Sequence, residues 1–359
     1  MEWVKQGAPD GFEKESFFLN FKSRVNDYFK LEPLRWLYEI NSGVIYVSDV
    51  LAAIGGSRLA VPHFEPKVLD EDERTITRLN PAGQTTKIIK EAVGYGMPLF
   101  LGWPVKDRAS WEEHKKRLDP SSPGRYPSDW NAYFQEINGL SCPVSLQVGG
   151  FFSFLREWVG QETLLYLFYD DPGLVEDMMD TLLYLETEIV KRVSTDIKFQ
   201  MVTYHEDMAY RAGPMISPEM FRRFMMPRYK KLNEMIHSLG VDVIYVDCDG
   251  KIDLLVPLWL ECGVNLVWPL EVAAGNDAVA LRKKYGKDLI MGGNIDKRAL
   301  AKGKEAIKQE VMSKVPFLLE KGGYFPSVDH LVSPDIPFEN FCYFFNLLRE
   351  IGGLEKLEL

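Results

Sequence analysis

With 359 residues, 46% of them hydrophobic and 26% charged, the chain can bury a full core and leaves little room for long disorder. A formal charge of −10 repels phosphate backbones and anionic lipid. No basic patch offsets it, so nucleic acid and membrane surfaces are excluded as partners. No run approaches the ~20 apolar residues of a membrane helix, and the amino terminus, MEWVKQGAPDGFEKES, has no apolar signal region. A cytoplasmic protein is expected.

Taken in chain order, residues 1–30 read as an amino-terminal extension. RWLYEI at Arg35 and MPLFLGWPV at Met97 read as strands. The polar segments Pro66 to Gln84 and Asp107 to Trp130 read as loop insertions. From about Ser141 one unit recurs: a β-rich run, a polar or glycine-containing turn, then an amphipathic stretch at helical period. The runs are PVSLQVGG at Pro143, FQMVTYHED at Phe199, VDVIYVDCDG at Val241, NLVWPLE at Asn265, DLIMGGNID at Asp288 and GYFPSVDH at Gly323. Helical patterns follow Gly173, Ser217 and Pro337. Asp170, Asp171 and Pro172 open the first of these, and Ser217 and Gly240 bracket the second. Alternation of this kind buries both faces of a parallel sheet. Eight strands predict a closed α/β architecture, a (β/α)8 TIM barrel spanning 1–359 as one domain, with an open doubly wound sheet as the alternative.

A barrel puts its chemistry on the loops after the strands, so strand ends are the residues to read. His205, Glu206 and Asp207 follow one run; Asp247, Cys248 and Asp249 follow the next. Later ends contribute Glu271, Asn294 with Asp296, and Asp329 with His330. Carboxylates this dense repel one another unless protons, a cation or arginines compensate. Period-2 alternation turns Tyr245, Asp247 and Asp249 to one face and packs Cys248 among apolar side chains on the other. Glu206, Asp207 and Asp329 are candidate acid-base groups; His205, Tyr245, Arg211, Glu271 and Asn294 are candidate substrate contacts. For Glu271 a backbone group or Arg211 is an equal partner. His330 reads as a ligand, an acid-base group or a surface cap. Cys142, Cys248, Cys262 and Cys342 lack CxxC spacing, which signals neither a disulfide framework nor a thiolate zinc cage.

GGFFSFLREWVGQETLLYLFYDDP, HEDMAYRAGPMISPEMFRRFMMPRYKKL, WPLEVAAGNDAVALRKKYG, MGGNID and SPDIPFEN together resemble the uroporphyrinogen decarboxylase superfamily, from about Gly149 to the end. The resemblance implies a (β/α)8 barrel and one of two chemistries: porphyrinogen decarboxylation, or methyl transfer to or from corrinoid proteins, often through zinc. Around KLEPLRWLYEI only Arg35 survives of the arginine-rich loop that holds a polycarboxylate in the decarboxylases, and an acidic mouth repels such a substrate. The resemblance therefore implies a methyltransferase acting on a small O- or N-methylated donor, with a corrinoid protein as partner. A uroporphyrinogen decarboxylase-like lyase is the alternative, and a homodimer stays open. Where zinc methyltransferases of the superfamily carry their ligands, matching on Gly250 and PFEN gives Asp247, Asp249 and His330 as ligands of zinc or another divalent metal. Oxygen and imidazole in place of thiolates weaken zinc affinity and suit activation of a hard oxygen.

Overall fold

Each parallel strand here leads into a helix whose apolar stripe has somewhere to pack, and that pairing of elements carries the architecture. The computed structural model describes residues 60–90, 97–139, 144–330, 332, 335–353 and 356. The predicted strand at Arg35 and the extension 1–30 lie outside the described residues. These fall into two compact units, one holding the described residues up to Met208 together with Met215–Ile244, the other holding Ala209–Pro214 and Tyr245 onward.

In the first unit, β1 (Lys67–Glu71), β2 (Thr75–Leu79), β3 (Thr85–Ile89) and β4 (Leu99–Gly102) form an antiparallel meander in that order. Two expectations are corrected here. Pro66 to Gln84 is sheet rather than loop, and the run at Met97 pairs antiparallel with β3 instead of entering a parallel sheet. Every residue of β1 is exposed, so its sequence, KVLDE, had no buried face to record as alternation. Helices α1 (Arg108–Lys115) and α2 (Trp130–Asn138) follow, both inside or at the edge of the second expected insertion. Then comes the repeating unit: β5 (Ser145–Gly149), α3 (Phe151–Val159), α4 (Gln161–Asp170), α5 (Pro172–Ser194) and β6 (Met201–His205), with β5 and β6 parallel. The α3 stripe of Phe151, Phe152, Leu155, Trp158 and Val159 is buried at helical spacing. Asp171 caps α5 through Leu174 N–H at 3.1 Å, with Pro172 at the first helical position, as the sequence requires. Ser217 caps Pro218–Met220, which runs through a π-helical turn, Phe221–Met225, into α6 (Met226–Ser238).

The second unit holds the short hairpin β7 (Ala209–Tyr210) and β8 (Gly213–Pro214), followed by β9 (Val243–Asp247, which enters it at Tyr245), α7 (Val256–Glu261), β10 (Leu266–Trp268), α8 (Ala278–Tyr285), β11 (Ile290–Ile295), α9 (Lys297–Ala301), α10 (Lys304–Met312), α11 (Val315–Lys321), β12 (Tyr324–Val328) and α12 (Phe338–Ile351). Strands β9, β10, β11 and β12 pair in sequence order, all parallel. The fold is thus the expected α/β type. Six strands of the described residues take parallel partners, and closure into an eight-stranded barrel is not seen among them. No helix among the described residues is long and apolar enough to cross a membrane.

Candidate metal centre

Three loops of the second unit, those after β9, β10 and β12, each end a parallel strand and so open on the same side of the sheet. They carry Asp249, Glu271 and His330. One ligand-capable atom from each lies within 4.8 Å of the other two. His330 Nε2 stands 3.2 Å from Asp249 Oδ2, and both side chains are partly exposed. That contact holds the His330 imidazole above the ordinary histidine range, against the opposing effect of burial. Two ligand atoms on a tetrahedral ion at ~2.1 Å stand roughly 3.4 Å apart, so the His330–Asp249 spacing already suits a shared cation. Two carboxylate oxygens and an imidazole nitrogen form a hard-to-borderline donor set that fits a divalent ion.

The loops are tied to one another by buried polar groups. Gly250 N–H donates to Glu271 Oε2 at 2.8 Å. Asn276 Nδ2 donates to Gly250 O at 2.8 Å and to Glu271 O at 3.1 Å, while its Oδ1 accepts from Ile252 N–H at 3.2 Å. Gly250 has φ 82, and a Cβ there would stand 2.7 Å from Ala209 C and Tyr210 N, so glycine is required on both counts. Leu270, just before Glu271, has φ 56, a left-handed backbone that costs a non-glycine residue about 1–2 kcal/mol. Asn294 Nδ2 holds it there through Leu270 O at 2.8 Å. Strain of this kind persists where the surroundings over-determine the backbone, and it gathers at functional loops.

The sequence-nominated residues divide accordingly. Asp249 and His330 fall in the cluster together with Glu271, whereas Asp247, which ends β9, is not part of it. Glu271 takes the backbone partner that had stood as one of its alternatives. Asp329 is 2% exposed and ties two loops together: its two oxygens accept from Val272 N–H at 2.9 Å and Lys297 N–H at 3.0 Å, the latter at the start of α9. Asn294 is held in the same way. Fully buried with φ 61, it accepts from Ala278 N–H and donates to Leu270 O and Asn276 O. Tyr245 and Cys248 are buried, and Arg211 is exposed.

In the first unit, Glu206 lies under the start of α3. It is 0% exposed and caps α3: Phe152 N–H donates to both its oxygens at 3.1 Å, Ser153 N–H at 3.0 Å and Tyr229 Oη at 2.8 Å. Burial pushes its carboxyl up, against those donors. Its neighbours remain accessible. His205 Nε2 lies 3.5 Å from Asp207 Oδ2, and Arg156 brackets Asp207 through its carbonyl at 2.9 Å and its carboxylate at 3.8 Å. Arg156 and Asn276 escaped the sequence reading because one sits in an amphipathic helix and the other in a turn, where such residues are ordinary.

Residues 134–351, more than half of the chain, match the family model described as uroporphyrinogen decarboxylase (URO-D). Among curated proteins, the uroporphyrinogen decarboxylase of Hordeum vulgare is 25% identical over 139 residues, covering 38% of this chain and 40% of that protein. That of Synechocystis is 22% identical over 192 residues, covering 52% and 51%. The chain thus spans about two fifths to one half of the length of these relatives. Among solved structures, a methyltransferase from Methanosarcina mazei superposes with a TM-score of 0.49 at 16% identity, covering 72% of this chain and 73% of that one.

Proposed function

The chain belongs to the uroporphyrinogen decarboxylase family, and from that premise we propose that it moves a methyl group from a small O- or N-methylated donor to a corrinoid carried by a partner protein. In this reading a divalent cation, zinc among the candidates, is held by Asp249, Glu271 and His330. The observation that carries it is the convergence of those three side chains, two carboxylates and an imidazole, within 4.8 Å on loops of one unit. Left alone, two carboxylates at this spacing raise each other's energy, and a cation relieves it.

A bound divalent ion supplies Lewis acidity to the oxygen or nitrogen that loses the methyl group. The chain's own residues do the rest. Asp249 and His330 present their donor atoms from loops after β9 and β12, and Gly250 N–H orients the Glu271 carboxylate. A corrinoid on the partner protein would accept the methyl group, its reduced cobalt supplying the electron pair for the new carbon–cobalt bond as the bond to the donor heteroatom broke, and the departing heteroatom would take up a proton. Of the two carboxylates the sequence nominates to supply that proton, Asp329 is enclosed by backbone donors and Asp207 keeps a partly exposed carboxylate.

Two measurements test the proposal. Metal analysis of purified protein is expected to find one divalent ion per chain, lost in Asp249→Ala and His330→Ala. Methyl transfer to cob(I)alamin is expected from at least one member of a panel of methoxylated and methylated-amine donors, and to be abolished by chelation. A protein that never retains an ion and transfers no methyl group refutes the reading. A second reading, a lyase acting on a carboxylated substrate, is favoured by the activity named for the curated relatives. Turnover of a porphyrinogen that persists in chelator distinguishes it.

A further inference from the structure

We propose that Asn276, which touches no substrate or ion, sets the separation of Asp249 and Glu271 and thereby the cation affinity of the centre; the inference rests on the metal reading above. The geometry is a closed ring of contacts. Glu271 carboxylate meets Gly250 N–H, Gly250 carbonyl meets Asn276 Nδ2, and the same Nδ2 meets Glu271 carbonyl. Asn276 backbone N–H adds a second bond to Glu271 O at 3.3 Å. One side-chain amide therefore links the residue after Asp249 to Glu271 itself.

The amide is 7% exposed and is itself fixed on both sides. Its oxygen is held by Ile252 N–H, and its backbone carbonyl accepts from Asn294 Nδ2 at 3.0 Å. Gly250 itself packs closely on the backbone of Ala209 and Tyr210, with no room for a Cβ. With Asn276 in place, the two ligand-bearing loops have one relative position. Without its Nδ2, the buried Gly250 O loses its donor, and although Glu271 O keeps the backbone N–H groups of Ala274 and Asn276, nothing else in the ring ties Gly250 O to the Glu271 loop. Neighbours that orient ligands in this way change metal affinity about 10–100-fold when removed.

The test uses the full chain and Mn(II), with binding read by titration calorimetry and by the electron paramagnetic resonance of free Mn(II). Asn276→Ala is expected to weaken Mn(II) binding at least tenfold while the protein still melts cooperatively. Asn340→Ala serves as the control: that amide is equally buried at 7% and donates to Leu300 O at 2.7 Å. It is expected to lower the melting temperature and leave Mn(II) affinity unchanged. Should Asn276→Ala fail to fold, Asn276→Ser, which keeps a donor too short to span both carbonyls, takes its place with the same expectation. Equal affinity in wild type and the Asn276 variant, with binding abolished by Asp249→Ala, overturns this inference and leaves the metal reading intact. Equal weakening by Asn276→Ala and Asn340→Ala also overturns it, by reducing the effect to general destabilisation. A wild-type protein that binds no Mn(II) overturns both.

Discussion

Gly150→Ala separates a structural Glu206 from a catalytic one. Gly150 lies at φ −70, ψ 135, a backbone any residue adopts, so alanine brings no backbone strain. Its Cβ, however, would stand 2.2 Å from both Glu206 Oε2 and His205 O. An ordinary contact is more than 1 Å longer, so the carboxylate must leave its place on the α3 amides. Overpacking costs about 1–3 kcal/mol, and loss of a hydrogen bond to a charged group about 1.5–3 kcal/mol. The stiffer unfolded chain returns about 0.4–1 kcal/mol. The balance is a loss of about 2–5 kcal/mol, or about 3–7 °C in melting temperature for a chain of this size. Gly173→Ala is the companion variant: its Cβ meets nothing closer than 3.6 Å inside α5, so it should hold or raise stability. Thermal melts and urea titrations of the two proteins decide the matter. If Gly150→Ala melts within a degree of wild type, Glu206 is not the clamp described, and a catalytic role for it returns.

The remaining predictions concern stability, the centre and pH. Gly250→Ala forces a left-handed alanine against Ala209 and Tyr210 and should both destabilise the protein by about 2–4 kcal/mol and abolish Mn(II) binding, read by melts and calorimetry. Asn294→Ala leaves Leu270 O and Ala278 N–H without their buried partner and should cost about 3 kcal/mol or more; a urea midpoint unchanged from wild type would remove Asn294 from the framework. His114 is 3% exposed among Phe64, Trp111 and Trp158, and neither ring nitrogen has a hydrogen-bond partner among the described residues. Burial lowers its pKa from 6.5 to about 4. Between those values the unfolded chain binds the extra proton, so this contribution is complete above pH 6.5 and is lost on acidification toward pH 4, up to about 3 kcal/mol. In melts from pH 7 to 4.5, His114→Phe should show a shallower fall than wild type, and parallel curves would refute the assignment.

How far the sequence reached follows from what each residue's surroundings impose on it. Strands β5, β6 and β9 to β12 were legible because burial on both faces demands near-continuous apolar residues, and the helix starts at Asp171 and Ser217 because capping needs particular side chains. The meander β1 to β4 was not, since β1 is exposed throughout and leaves no pattern. At the centre, Cys248 packs in the core while Asp249 is open, though Tyr245, assigned to the same face as Asp249, is fully buried; the ligand set with Asp247 comes from motif matching, which cannot see Glu271. The place of Glu271 depends on the turn after β10, where left-handed Leu270, fixed by Asn294, aims the next side chain. The same limit explains Glu206 and Asp329. A carboxylate at a strand end can face a ligand or cap the helix that begins beside it, and nothing in its own segment says which. Only the partner amides decide: Phe152 and Ser153 for one, Val272 and Lys297 for the other, all far away in sequence. A dense row of strand-end carboxylates therefore overstates the charge of a site. Subtracting those that close helix starts and cross-tie loops leaves Asp207, Asp247, Asp249 and Glu271; of these, Asp249 and Glu271 gather with His330, and it is on their spacing that cation binding would turn.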